Sequence, residues 1–127
     1  MQNETILTIG GVYIVALIIF HLLLWKLFSW KKDLKRITPI NRSTMQVINI
    51  ALIFVFAIFA YISFFHTSEL LSTSLGKTLL MLIGLLWLFR AVLQIIFYGL
   101  KNKISFMFFI YFILGGIIYL FPVFRSS

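Results

Sequence analysis

The chain contains no cysteine, which excludes disulfides, thiol catalysis and Cys-ligated zinc or iron–sulfur centres. Acids are nearly as scarce: Glu4, Asp33 and Glu69 are the only carboxylates. That leaves no paired carboxylates for acid–base work and no cluster of His and acids for a metal. No Gly-rich phosphate loop and no nucleophile–base set occurs either. No catalytic residue, cofactor or metal is therefore assigned, and the expectation is a protein that is not an enzyme.

What fills the chain is apolar. Of 127 residues, 62% are hydrophobic and 11% charged, against about 25% charged in an average globular domain. Such an excess of apolar surface needs lipid to cover it. The net charge of +8 does not point to nucleic acid, because the Lys and Arg residues cluster beside apolar runs. There they fix topology and attract anionic headgroups.

Four runs are long enough to cross about 30 Å of hydrocarbon, which takes roughly 20 helical residues. They are residues 6–27, 47–65, 78–98 and 104–121. Only helices satisfy their own backbone in lipid, so the expected fold is all-α, a four-helix transmembrane bundle forming one integral membrane domain over 1–127. The first run reads as a retained helix and not a cleaved signal peptide. Glu4 precedes it, and neither a basic leader nor a small-residue cleavage site is present. The short Ser/Thr-rich stretch 66–76 makes the second and third runs antiparallel neighbours. In the fourth, Gly115 and Gly116 permit close approach of another helix.

Charge sets the direction. Lys26, Lys31, Lys32, Lys35, Arg36 and Arg42 surround the first connection, and Lys101 and Lys103 lie in the third. The positive-inside rule places both in the cytoplasm and both termini outside. Within the basic loop 28–46, Leu27, Trp30, Leu34 and Ile37 recur at helical spacing among Lys31, Lys32, Lys35 and Arg36. That pattern suits a segment lying in the headgroup layer, as a topology anchor or as a surface for anionic lipid. Pro39 is expected to end it, and Ser43 to Gln46 matches a capping box for the next helix.

Arg90 is the exception within the third run. A charge deep in lipid costs roughly 2.5–3.5 kcal/mol on insertion scales. At 1.5 Å per residue, Arg90 lies about 12 Å and Gln94 about 6 Å from the cytoplasmic end. At that depth snorkelling alone does not bring the charge to water. Trp87, Arg90, Gln94 and Tyr98 share one helix face. His21 and Asn49 fall in the same half of the bilayer, so polar groups from three helices are expected in one layer. A guanidinium among them is suited to a carboxylate or phosphate, or else to locking the helices together. His21 and His66 fall on opposite sides of the bilayer, so a shared haem within one chain is excluded. His21 reads as a packing residue and His66 as an interfacial one beside Glu69.

Pro39-Ile40-Asn41-Arg42, together with Trp87, Arg90, Gln94 and Tyr98, resembles a group of small bacterial four-helix membrane proteins. These carry a Pro-Leu-Asn-Arg turn and a Trp-x-x-Arg-x-x-x-Gln helix; here Ile40 stands for Leu. The resemblance covers about half the chain and implies architecture, a bacterial cytoplasmic membrane and the choice of residues, with no activity attached. Small multidrug resistance transporters fit poorly, for want of an acid inside the first helix. Fluoride channels fit poorly because the third run has no Gly- and Thr-rich break.

The resulting expectation is a non-enzymatic accessory or interaction subunit. Arg90 engages an acidic partner residue or anionic headgroup, framed by Trp87, Gln94 and Tyr98, with Asn41 and Arg42 ordering the cytoplasmic turn. The chain is expected in a homo-oligomer or a larger membrane complex, without nucleic acid. The alternative is a small homodimeric transporter or carrier of an anionic or lipidic solute; an enzyme acting on lipid ranks below both.

Overall fold

A computed structural model describes residues 2–27 and 30–125; the side chains of Trp25, Leu27, Trp30 and Lys31 are outside the description. Every described element is helical. In order these are α1 (Asn3–Leu22), α2 (Leu24–Leu27), α3 (Trp30–Asp33), a 3-10 turn (Leu34–Arg36), α4 (Pro39–Phe65), α5 (Thr67–Ser72), α6 (Ser74–Tyr98) and α7 (Lys103–Arg125). Four of them, α1, α4, α6 and α7, are long and apolar enough to cross a membrane. The chain is thus a multi-pass membrane protein of all-helical fold. By contacts it forms two compact units, residues 11–61 and residues 1–10 with 62–127.

In the unit 11–61, the first apolar run is not one helix to Leu27 but breaks at Leu23. No proline or glycine lies there, so the cause is hydrogen bonding. The His21 carbonyl, which Trp25 would use in a continuous helix, accepts from Asn49 Nδ2 at 3.2 Å. The His21 ring itself donates to the Leu17 carbonyl at 2.9 Å. Side chains inserted into the helical ladder are a known cause of such breaks.

α4 begins at Pro39, eight residues before the expected start at Val47. Pro39 does not simply end the basic segment. Its fixed φ and missing N–H suit the first helical position. Thr38 Oγ1 accepts from the Asn41 N–H at 3.4 Å as the cap. The expected capping box at Ser43–Gln46 therefore lies inside the helix, where Thr44 Oγ1 donates to the Ile40 carbonyl at 2.8 Å. At 27 residues α4 is about 40 Å long, about 10 Å more than the hydrocarbon requires.

In the other unit, the stretch 66–76 holds the short helix α5. Thr73 then caps α6, its Oγ1 accepting from Gly76 N at 2.9 Å. Gly76 leaves room for α5, since a Cβ there would meet the Leu70 backbone. α6 ends where Gly99 takes φ 72. Asn102 Oδ1 then accepts from Ile104 N at 2.8 Å and starts α7.

α6 and α7 run antiparallel in close contact, and the expected close approach at Gly116 is present. Its carbonyl lies 3.4 Å from where a Gly84 Cβ would stand. Leu120 fills the space above Gly84, and Leu88 that above Gly116. α7 also passes the expected end at Phe121: Pro122 removes one donor, yet the helix continues to Arg125. Near that end Tyr119 and Ser63 hydroxyls share a buried 2.7 Å hydrogen bond, with the Tyr119 ring lying over Gly10.

Candidate functional site

The candidate site lies on the α6–α7 hairpin, toward the Gly99–Asn102 turn. Helical spacing alone brings Arg90 to Gln94, and the Arg90 Nη1 donates to Gln94 Oε1 at 3.0 Å. Gln94, only 3% exposed, donates in turn from Nε2 to Ser105 Oγ of α7 at 2.8 Å. Ser105 Oγ donates to the Gly99 carbonyl at 2.5 Å. Gln94 and Ser105 each both accept and donate, so the chain of bonds runs one way and fixes the amide of Gln94. It ends on the backbone of the turn joining the two helices.

The charge is also placed by aromatic rings. The Arg90 guanidinium carbon lies 4.6 Å from the Phe112 ring centroid and 6.0 Å from that of Tyr98. Trp87, 2% exposed, stacks on the same Phe112 with centroids 6.3 Å apart and planes 18° apart. Phe112 thus takes a ring and a cation. A cation over an aromatic ring is worth about 2 kcal/mol when desolvated.

Arg90 is half-buried, and its side chain runs toward the C-terminal end of α6. Bonded to Gln94 and 6.0 Å from the Tyr98 ring, its guanidinium lies nearer that end than its Cα. The depth expected from the Cα alone therefore overstates the depth of the charge. A guanidinium has five N–H donors. Among the described residues one of them is used, and no carboxylate pairs with it. The Glu69 carboxylate instead meets His66, Oε1 to Nδ1 at 2.9 Å, beside α5.

Of the other residues singled out from sequence, His21 and Asn49 meet in the unit 11–61, through the bond that breaks α1. The His21 ring packs edge-on against Phe56, centroids 5.2 Å apart. Arg42 is half-buried and clamps the turn before α4. Its Nε donates to the Leu34 carbonyl at 2.8 Å and its Nη2 to the Ile37 carbonyl at 3.4 Å. Asn41 contributes its backbone N–H to Thr38 while the residue stays exposed. Lys32, Lys35 and Arg36 are exposed while Leu34 is buried, as an amphipathic segment requires; the Lys31 side chain lies outside the described residues.

Two members of the site carried no usable signal in the sequence. Ser105 is one small polar residue at the start of an apolar run. Phe112 is one of 15 phenylalanines. Among the described residues no three His, Asp or Glu side chains gather to hold a metal ion.

No protein-family model matches the chain, and no curated protein or solved structure is similar to it.

Proposed function

We propose that this is a non-enzymatic accessory or interaction subunit of a bacterial cytoplasmic membrane, in which Arg90 engages an anionic group carried by another molecule. Its termini face outward and its basic connections face the cytoplasm, a topology resting on the distribution of Lys and Arg. The anionic group is an acidic side chain of a partner or a lipid headgroup.

The observation carrying this reading is the incomplete use of a well-placed cation. Gln94 and Phe112 hold the guanidinium in position, yet most of its N–H donors have no partner among the described residues. A purely structural arginine would be expected to find carbonyls. Among the described residues Arg90 donates to none of them. The contacts present offset part of the cost of an intramembrane charge, which is roughly 2.5–3.5 kcal/mol. An incoming carboxylate or phosphate relieves the rest, and bidentate pairing makes arginine suited to either.

The test is native mass spectrometry on protein gently extracted from its own membrane, with Arg90→Leu alongside. The expected result is a protein or anionic molecule bound to the wild type and missing from the variant. Identical bare species from both would sink the reading and assign Arg90 to packing.

A further inference from the structure

We infer that the anion taken by Arg90 is the phosphate of an anionic glycerophospholipid, seated at the Gly99–Asn102 end of the α6–α7 hairpin with its acyl chains along the hairpin's exposed face. This rests on the reading above and narrows it to one ligand chemistry.

Depth is the first argument. The Arg90 guanidinium bonds to Gln94 and lies 6.0 Å from the ring of Tyr98, the last residue of α6, so it is within two helical turns of that end. That is within the range over which long cationic side chains reach headgroups.

Charge is the second. Lys101 and Lys103, both exposed, occupy the turn and the start of α7 at this same end. No acid occurs anywhere between Ser74 and Arg125. One partner carboxylate would match Arg90 and leave the two lysines facing nothing. A layer of lipid phosphates serves all three cations.

The third argument is the flank. Phe97 follows Arg90 by seven residues, two helical turns, and therefore lies on its face. It is 75% exposed, and Tyr98, Ile104 and Met107 around the turn are 67%, 64% and 69% exposed. Apolar surface thus lines the level between Arg90 and the two lysines and continues past Arg90 at Phe89, 62% exposed, where the acyl chains would lie. Phosphate oxygens accept from the unused guanidinium donors while the Gln94–Ser105 bonds hold that group still.

The experiment uses the full chain in nonionic detergent, titrated with phosphatidylglycerol or phosphatidylcholine of matched acyl chains and read by native mass spectrometry. Wild type is expected to retain one phosphatidylglycerol with about tenfold preference over phosphatidylcholine. Arg90→Gln should lower that preference about fivefold, and Lys103→Gln about twofold, with helical content unchanged. If Arg90→Gln does not fold, Lys103→Gln and the charge-neutral Phe112→Leu carry the test, and an undiminished preference in both overturns the proposal.

Equal retention of the two lipids by wild type also overturns it. So does full displacement of phosphatidylglycerol by inorganic phosphate at equal concentration, which would reassign the site to a free anion. A missing lipid preference, combined with a protein lost from Arg90→Leu, removes the lipid and leaves the broader reading intact.

Discussion

Arg42 and Arg90 are the same side chain in opposite circumstances. Arg42 lies beside a 3-10 turn at the irregular entry to α4, and it donates to two backbone carbonyls, of Leu34 and of Ile37. Arg90 lies on the regular α6–α7 hairpin, and it finds one amide oxygen. Backbone geometry therefore decides which arginine becomes a staple and which keeps donors for something else. The amides divide likewise. Asn49 reaches a carbonyl and interrupts α1, whereas Gln94 reaches side chains and leaves α6 unbroken.

The sharpest way to break this contrast is Arg42→Ala. Hydrogen bonds from a charged donor contribute about 1.5–3 kcal/mol, so the variant should lose about 2–3 kcal/mol of stability in detergent unfolding. Arg42→Lys should recover only part, because an ammonium cannot span both carbonyls as the fork does. A loss below about 0.5 kcal/mol would put Arg42 in the same class as Arg90.

Gln94→Leu comes next. It strands Arg90 and Ser105 together and should destabilise by about 1–3 kcal/mol. It should also weaken anion retention although Arg90 remains. Unchanged retention would show that Phe112 alone positions the guanidinium.

Arg90→Leu should change stability by less than about 1 kcal/mol in either direction, since relief of an intramembrane charge offsets the loss of the Gln94 bond and the Phe112 contact. Its effect belongs to binding. A loss as large as that of Arg42→Ala would mean that Arg90 is a staple too.

Asn49→Leu should be the mildest, near the 0.6 kcal/mol average for interhelical hydrogen bonds. Its signature is local: amide exchange at Leu24 to Lys26 should slow as α1 continues through Leu23. Exchange unchanged there would separate the break from Asn49.

These contrasts mark how far the sequence reaches. The four long helices were legible because a continuous apolar run of such length has no other solution in lipid. The Arg90–Gln94 contact was legible because a spacing of four residues places both on one face whatever else packs there. The role of Pro39 was not. A proline ends one helix or begins the next by the same stereochemistry, and only the Thr38 cap distinguishes the two. Phe112 and Ser105 were hidden for a different reason. Their place beside Arg90 depends on the axial register of α6 against α7, which hydrophobic periodicity does not encode. Register is set by the Gly84–Leu120 and Gly116–Leu88 contacts.

That interlock has a consequence for biogenesis. Each glycine receives a leucine from the opposite helix, so sliding by one residue forces a Cβ or a leucine into backbone. Four residues, Gly99 to Asn102, join the helices, too few to let one settle far from the other. The group that neutralises part of the burden of Arg90, the ring of Phe112, leaves the ribosome after Arg90 does. The membrane-insertion machinery therefore receives α6 and α7 most cheaply as a paired unit, with translation of α7 completing the shelter that the arginine of α6 requires.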